Sequence, residues 1–105
     1  MKLPELTHLQ FLVLSHLGSM PVKGRQVREA LRKSGVRKTG PAFYQMMARM
    51  EEAKLVEGWY SQEVKDGQII RERNYKILGN GFNAWQLSRS FYEEVPALGK
   101  ERYAR

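Results

Sequence analysis

Cysteine is absent from the 105-residue chain, which excludes disulfides and thiolate metal sites and fits a reducing compartment. No apolar run approaches the roughly 20 residues of a membrane span. Leu9 to Leu17 is far shorter, and no small-residue cleavage site follows it, so neither a membrane segment nor a signal peptide is expected. Only two histidines occur, and His8 and His16 do not have the spacing of metal ligands. With no His–carboxylate grouping and no Gly-rich phosphate loop at a strand–helix junction, an enzyme is not expected, nor a cofactor or metal. Repeats and low-complexity segments are absent too. The length fits one domain with a modest core, a size at which pairing with a second copy often supplies further stability.

What the chain does have is positive charge in one place. Its net charge is +7. Between Lys23 and Lys54 nine basic residues face three acidic ones, so six of the seven excess charges fall in 32 residues. Such concentration points to an anionic partner, with nucleic acid ahead of a lipid surface. Neither helix of this stretch pairs a wholly cationic face with a Trp/Phe/Leu face, so no membrane partner is expected and the cytoplasm is the expected location.

The middle of that stretch, Thr39 to Ala53, reads as an amphipathic helix. Phe43, Met46, Met47 and Met50 fall at i, i+3, i+4 and i+7 and form one apolar face. The opposite face carries Gln45, Ala48 and Glu52, flanked by Ala42 and Arg49 on one side and Tyr44 on the other. Solvated faces are mostly Lys and Glu. Small residues beside Gln and Arg instead let a helix approach a duplex closely and set side chains against base edges.

Around this helix the chain divides readily. Thr7 and Gln10 have the spacing of a capping box, with Leu6 and Phe11 placed as a hydrophobic staple, and Leu9, Phe11, Leu12, Val13 and Leu17 form the apolar stripe of a first helix ending at Gly18. Met20-Pro21-Val22 reads as an extended connector. A second helix from about Lys23 to Lys33 buries Val27, Ala30 and Leu31, exposes Arg25, Arg28 and Arg32, and stops at Ser34-Gly35. Pro41 suits a first helical position, with either Thr39 or Gly40 as N-cap, and Lys38 with Thr39 would then form an anion site at the helix start.

After Ala53 the period becomes two. Leu55 to Val64 and Ile69 to Ile77 flank Asp66-Gly67, a strong two-residue hairpin signal that pairs Lys65 with Gln68. This register predicts an inner face of Val56, Tyr60, Val64, Ile69, Tyr75 and Ile77, with Arg71 and Arg73 on the same side toward the tip. A last helix is expected over about Asn80 to Val95. Its stripe of Phe82, Trp85, Ser88, Arg89 and Tyr92, beside Ala84, Leu87, Phe91 and Val95, holds more aromatic surface than so small a chain readily buries, which predicts isologous self-association. Pro96 is expected to end the helix and leave residues 96–105 as a mobile basic tail. The expected fold is therefore mostly α with a small β-hairpin: a winged helix-turn-helix over residues 1–78 and a dimerisation helix over 79–95.

Thr39-Gly40-Pro41-Ala42-Phe43-Tyr44, Arg49-Met50-Glu51, Leu55-Val56, and Arg71, Arg73 and Tyr75 resemble the PadR family of transcriptional regulators. The resemblance extends from about Leu6 to Tyr92. Gly24 matches the Gly that opens the family's second helix, and Gly81 also stands where the family's residue stands. Gly40-Pro41 inverts the usual Pro-Gly, Ala42 replaces Thr, Lys54 replaces the Gly that ends the recognition helix, and Leu78 replaces the Thr before the last helix, leaving Asn80 as a candidate cap. The resemblance implies a DNA-binding homodimer, usually a repressor, paired through its C-terminal helix. The short chain is similar to the family's compact branch, some members of which bind flat aromatic compounds beside a tryptophan of that helix; Trp85 is the corresponding candidate for an effector.

The expected partners are thus double-stranded DNA and a second copy of the chain, with an aromatic small molecule as effector candidate. Gln45 is expected to read adenine, Arg49 guanine, and Ala42 or Ala48 a thymine methyl, while Lys23, Arg25, Lys38, Thr39, Tyr44, Arg71 and Arg73 hold the phosphate backbone. The competing expectation is a winged-helix protein–protein module whose third helix docks an acidic partner.

Overall fold

The computed structural model describes residues 3–103. The order is α1 (His8–Leu17), β1 (Val22–Lys23), α2 (Gly24–Lys33), α3 (Gly40–Glu52), β2 (Val56–Lys65), β3 (Gln68–Ile77) and α4 (Gly79–Tyr103). This is a winged helix-turn-helix, mostly helical as expected, with α2 and α3 as the helix-turn-helix and β2–β3 as the wing. One strand goes beyond the expected hairpin. Val22 and Lys23 pair antiparallel with Tyr75 and Asn74, giving a sheet of order β1-β3-β2. The connector thus anchors the wing's base to the start of α2.

Local chemistry explains most boundaries. Thr7 and Gln10 satisfy each other's backbone N–H groups at the start of α1 in a complete capping box. α2 ends in a Schellman motif: Val36 N–H donates to Leu31 O and Gly35 N–H to Arg32 O, with Gly35 at a φ of +88°. α3 ends the same way, Leu55 N–H on Met50 O and Lys54 N–H on Glu51 O, but here the left-handed position is filled by Lys54 at +60°. Asp66 and Gly67, both with positive φ, make the hairpin turn, and Lys65 pairs with Gln68 as the sequence predicts.

The core lies between the three N-terminal helices and the base of the wing. Val13, Leu14 and Leu17 of α1, Val27 and Leu31 of α2, Phe43, Met47 and Met50 of α3, and Val56 and Tyr75 of the sheet are buried. Met46 is only partly buried. The wing's inner face is shorter than predicted. Val56 and Tyr75 are buried, but Tyr60, Val64 and Ile69 are 60%, 77% and 70% exposed. Alternation fixes which face a residue occupies, not how far the body of the protein extends beneath it.

α4 differs most from expectation. It starts at Gly79 after Leu78, whose carbonyl accepts from Phe82 N–H, rather than being capped by Asn80. It then continues through Pro96 to Tyr103, so residues 97–103 are helical and not a mobile tail; Ala104 and Arg105 lie outside the described residues. Proline removes one donor and crowds the preceding turn. Here Glu93, Glu94, Pro96 and Ala97 are exposed, and Ala, Leu, Lys, Glu and Arg beyond the proline are strong helix formers.

Candidate nucleic-acid interface

The third helix is held from behind and left open in front. Phe43, Met47 and Met50 are fully buried and fix its rotation. Thr39 is its N-cap, with Oγ1 accepting from Ala42 N–H at 3.3 Å. Pro41 is accordingly the second helical residue rather than the first, a position whose N–H also has no intrahelical partner. Facing away from the core, Tyr44, Gln45, Ala48 and Arg49 are exposed and Ala42 is partly so. Among the described residues, no segment of the chain packs over this face.

Arg28 braces the turn that leads into α3. Its Nε donates to the Lys38 carbonyl at 3.1 Å, and its guanidinium passes so close to Gly40 that an added Cβ would lie 3.3 Å from it. Lys38 therefore stands beside the first turn of α3, where free backbone N–H groups and the helix dipole favour an anion. Lys38, Ala42, Gln45 and Arg49 share a shallow depression with the start of α1. Tyr44 leans the other way. Its ring meets Phe43 edge-on with centroids 5.0 Å apart and lies across Gly24, where a Cβ would come within 3.1 Å of both the Tyr44 and Tyr75 rings.

The cations of the region fall into two groups. Among the described residues Lys38, Arg49 and Arg71 have no acidic partner. Lys23, Arg25 and Arg73 do. Glu72 takes Lys23 at 2.9 Å and Arg25 at 2.8 Å, and Lys23 also reaches Glu63 at 3.3 Å. The Lys23 hydrogen bond, opposed by desolvation and helped by Arg25, holds the Glu72 carboxyl below its ordinary pKa. Arg25 keeps an exposed side chain, whereas Lys23 is largely enclosed. Arg73 donates to Glu51 at 2.7 Å and so ties the wing to α3. Burial lowers the Arg73 pKa, but bonds to Glu51 and Tyr75 outweigh it and raise the value. Burial pushes the Tyr75 hydroxyl up to about 12. Gly58 completes this joint, since a Cβ there would lie 2.6 Å from Glu51 and 2.8 Å from the Tyr75 ring.

Sequence reasoning counted Arg28 only among the exposed cations of α2 and Tyr60 only in the wing's inner layer, and missed Glu51 and Glu72 as parts of this region. Their partners lie 10 to 47 residues away for the bonds from Arg28, Arg73 and Arg25, so no local pattern marks them. Tyr60 was expected in the inner layer but instead lies exposed on the wing, with Arg71 and Arg73 4.5 and 4.6 Å from its ring centre.

The α4 stripe read as a self-association surface is split. Ser88 is fully buried, and Trp85 and Tyr92 pack on α1 of the same chain. Trp85 stacks on Phe11 and donates from Nε1 to Ser15 at 2.9 Å, while the Tyr92 hydroxyl hydrogen-bonds His8. Phe82 and Arg89 remain exposed. A hollow of about 380 Å³ beside Trp85 is lined by Leu14, Ser15, Gly18, Ser19, Ile77 and Phe82.

No protein-family model matches the sequence, and no curated protein matches it either. Solved structures do match. A PadR family transcription regulator from Clostridium difficile superposes with a TM-score of 0.75 at 17% identity, over 94% of this chain and 100% of its own. A PadR-like transcription factor from Bacteroides fragilis gives 0.70 at 14% identity, over 89% and 87%. A transcriptional regulator from Clostridium thermocellum gives 0.69 at 17%, over 93% and 94%. These matches take in most of the chain, which has the fold of the PadR-family transcription regulators.

Proposed function

We propose that the protein is a sequence-specific, double-stranded DNA-binding transcription regulator, acting as a homodimeric repressor on a near-palindromic operator. The observation that carries this reading is the outward face of α3: Gln45, Ala48 and Arg49 exposed, backed by three fully buried side chains, and bordered by Lys38 and Arg71, cations without an acidic partner among the described residues. Gln45 pairs with adenine, Arg49 with guanine and Ala42 or Ala48 with a thymine methyl. Lys38, Thr39, Tyr44, Arg25 and Arg71 hold phosphates, whereas Lys23 and Arg73 chiefly set the wing's position through Glu72 and Glu51.

The dimer forms through α4. Leu87, Phe91, Val95 and Leu98 recur at helical spacing, and Leu87 and Leu98 are 42% and 59% exposed, as is Phe82 at 45%. This stripe, with Arg89, replaces Ser88, Trp85 and Tyr92 as the seam, because Ser88 is buried within the chain and Trp85 and Tyr92 already pack on α1. Two copies joined this way present their third helices to successive major grooves about 34–36 Å apart. A flat aromatic effector, if the regulator takes one, enters the hollow beside Trp85.

Selection of bound duplexes from a random pool tests the proposal. Two-fold symmetric winners are expected for the wild type, and Gln45→Ala should relax preference at one base position in each half-site by about 1–3 kcal/mol. Winners without symmetry, or an unchanged preference in Gln45→Ala, refute it.

A further inference from the structure

The wing carries apolar surface where a solvated hairpin has no use for it. Its last buried level is Gly58 paired with Tyr75, and seven more residues of β2 carry the ribbon about 20 Å or more beyond the core. At the end of this arm Val64 and Ile69 stand directly opposite each other, 77% and 70% exposed. Lys65 adjoins them beside Asp66 of the turn, Glu63 is taken up by Lys23 at 3.3 Å, and Arg71 follows on the same face with no acidic partner among the described residues. The arm is stiffened below its tip by Arg71 and Arg73 against Tyr60 and anchored to α3 by the Arg73–Glu51 bond.

A cross-strand aliphatic pair does strengthen a hairpin. Threonine, however, supplies the same β-branched preference without apolar exposure at a bare strand tip, a standing hazard for self-pairing. Exposed aliphatic side chains with a lysine and an arginine beside them suit another setting. Proteins that enter the minor groove insert such residues between base steps, unstack them, and kink the duplex by about 20–90°. Pyrimidine–purine steps yield most easily.

We infer that Val64 and Ile69 form a minor-groove wedge, which kinks DNA beside the site held by α3 and selects flexible base steps there, with Lys65 and Arg71 on the flanking phosphates. This rests on the DNA-binding reading above, and the occupant is the minor groove itself. A second copy meeting the tip is an alternative that the test separates.

The test uses the full chain and two 30-base-pair duplexes of equal composition, one of alternating adenine and thymine and one with all adenines on one strand. Each carries a donor and an acceptor dye at its ends, and binding is measured at low and moderate salt. The wild type should draw the ends of the alternating duplex together and bind it about tenfold more tightly than the stiff one. V64T/I69T keeps strand propensity; with an unchanged circular dichroism spectrum and salt slope, it should leave the ends apart and bind both duplexes within about twofold. Wild-type binding without end-to-end shortening overturns the wedge. So does a variant that bends DNA as well as the wild type, or one that alters only the oligomeric state. Failure of the wild type to bind either duplex at low salt refutes the DNA-binding reading as well, and is thereby distinguishable.

Discussion

Lys54 occupies a backbone conformation that its side chain disfavours, and replacing it separates two opposing effects. At a φ of +60° it fills the left-handed position of the motif closing α3, with both hydrogen bonds of that motif formed. An L-residue there costs about 1–2 kcal/mol, from the approach of Cβ to the following carbonyl. Glycine removes that strain but forfeits about 0.5–1 kcal/mol through the greater freedom of its unfolded chain. Loss of the lysine charge near the helix C-terminus removes a further ~0.3 kcal/mol. Lys54→Gly should therefore be more stable than wild type by about 0.5 kcal/mol, the residue of these opposing contributions. Lys54→Ala keeps the strain and loses the charge, so it should fall slightly below wild type. The gap between the glycine and alanine variants is the cleaner quantity, about 1 kcal/mol, or roughly 4–8 °C in melting temperature for a domain near this size. Thermal melts at one fixed protein concentration measure it, since a dimer's midpoint moves with concentration. An alanine variant that melts at or above the glycine variant would show that Lys54 is not strained at this position.

Three other outcomes follow from contacts described above. Gly81→Ala places a Cβ 2.0 Å from the Leu55 carbonyl oxygen, which is held by Leu78 N–H, so stability should drop by about 1–3 kcal/mol or more although alanine is the better helix former; a denaturant midpoint at or above wild type contradicts this. Glu72 has its pKa depressed in the fold below the ordinary 4.5, chiefly by the Lys23 hydrogen bond, so its contribution is present above 4.5 and lost as pH falls through the depressed value. Denaturant midpoints of Glu72→Gln between about pH 3 and 6 should accordingly show a shallower acid decline than wild type. Leu87→Glu puts a charge in the proposed α4 seam and should give monomers in sedimentation at concentrations where the wild type is dimeric.

How much of this was legible in the sequence varied with the kind of signal. Thr7 with Gln10, Ser34-Gly35 and Asp66-Gly67 name local backbone conformations, and the helix starts and turns they mark stand where the sequence puts them. The face of α3 was legible for the same reason, since a period of 3.6 assigns each residue a side. β1 was not, because two residues after a proline have no period to read. The wing's inner face was overread at Tyr60, Val64 and Ile69, where alternation continues past the end of the core. Pro96 misled because helix breaking is a cost, not a prohibition, and strong helix formers offset it there. The bonds of Glu51 with Arg73 and of Glu72 with Lys23 and Arg25 join distant residues, so only the fold reveals that three expected phosphate contacts already have carboxylate partners. For the α4 stripe, the sequence showed surplus aromatic surface but not that Ser88 is buried within the chain and that Trp85 and Tyr92 pack on its α1.

On the proposed reading the uncovered side of α3, whose Lys38 and Arg49 have no acidic partner among the described residues, lies against a double helix. Fluorescence anisotropy of a labelled 30-base-pair random duplex, titrated with protein from about 50 to 200 mM salt, tests it most directly. A linear fall of log K with log salt is expected, at about −0.9 per phosphate held, with a slope flatter by roughly one for Lys38→Ala. Absence of binding at the lowest salt, or a slope that Lys38→Ala leaves unchanged, contradicts it.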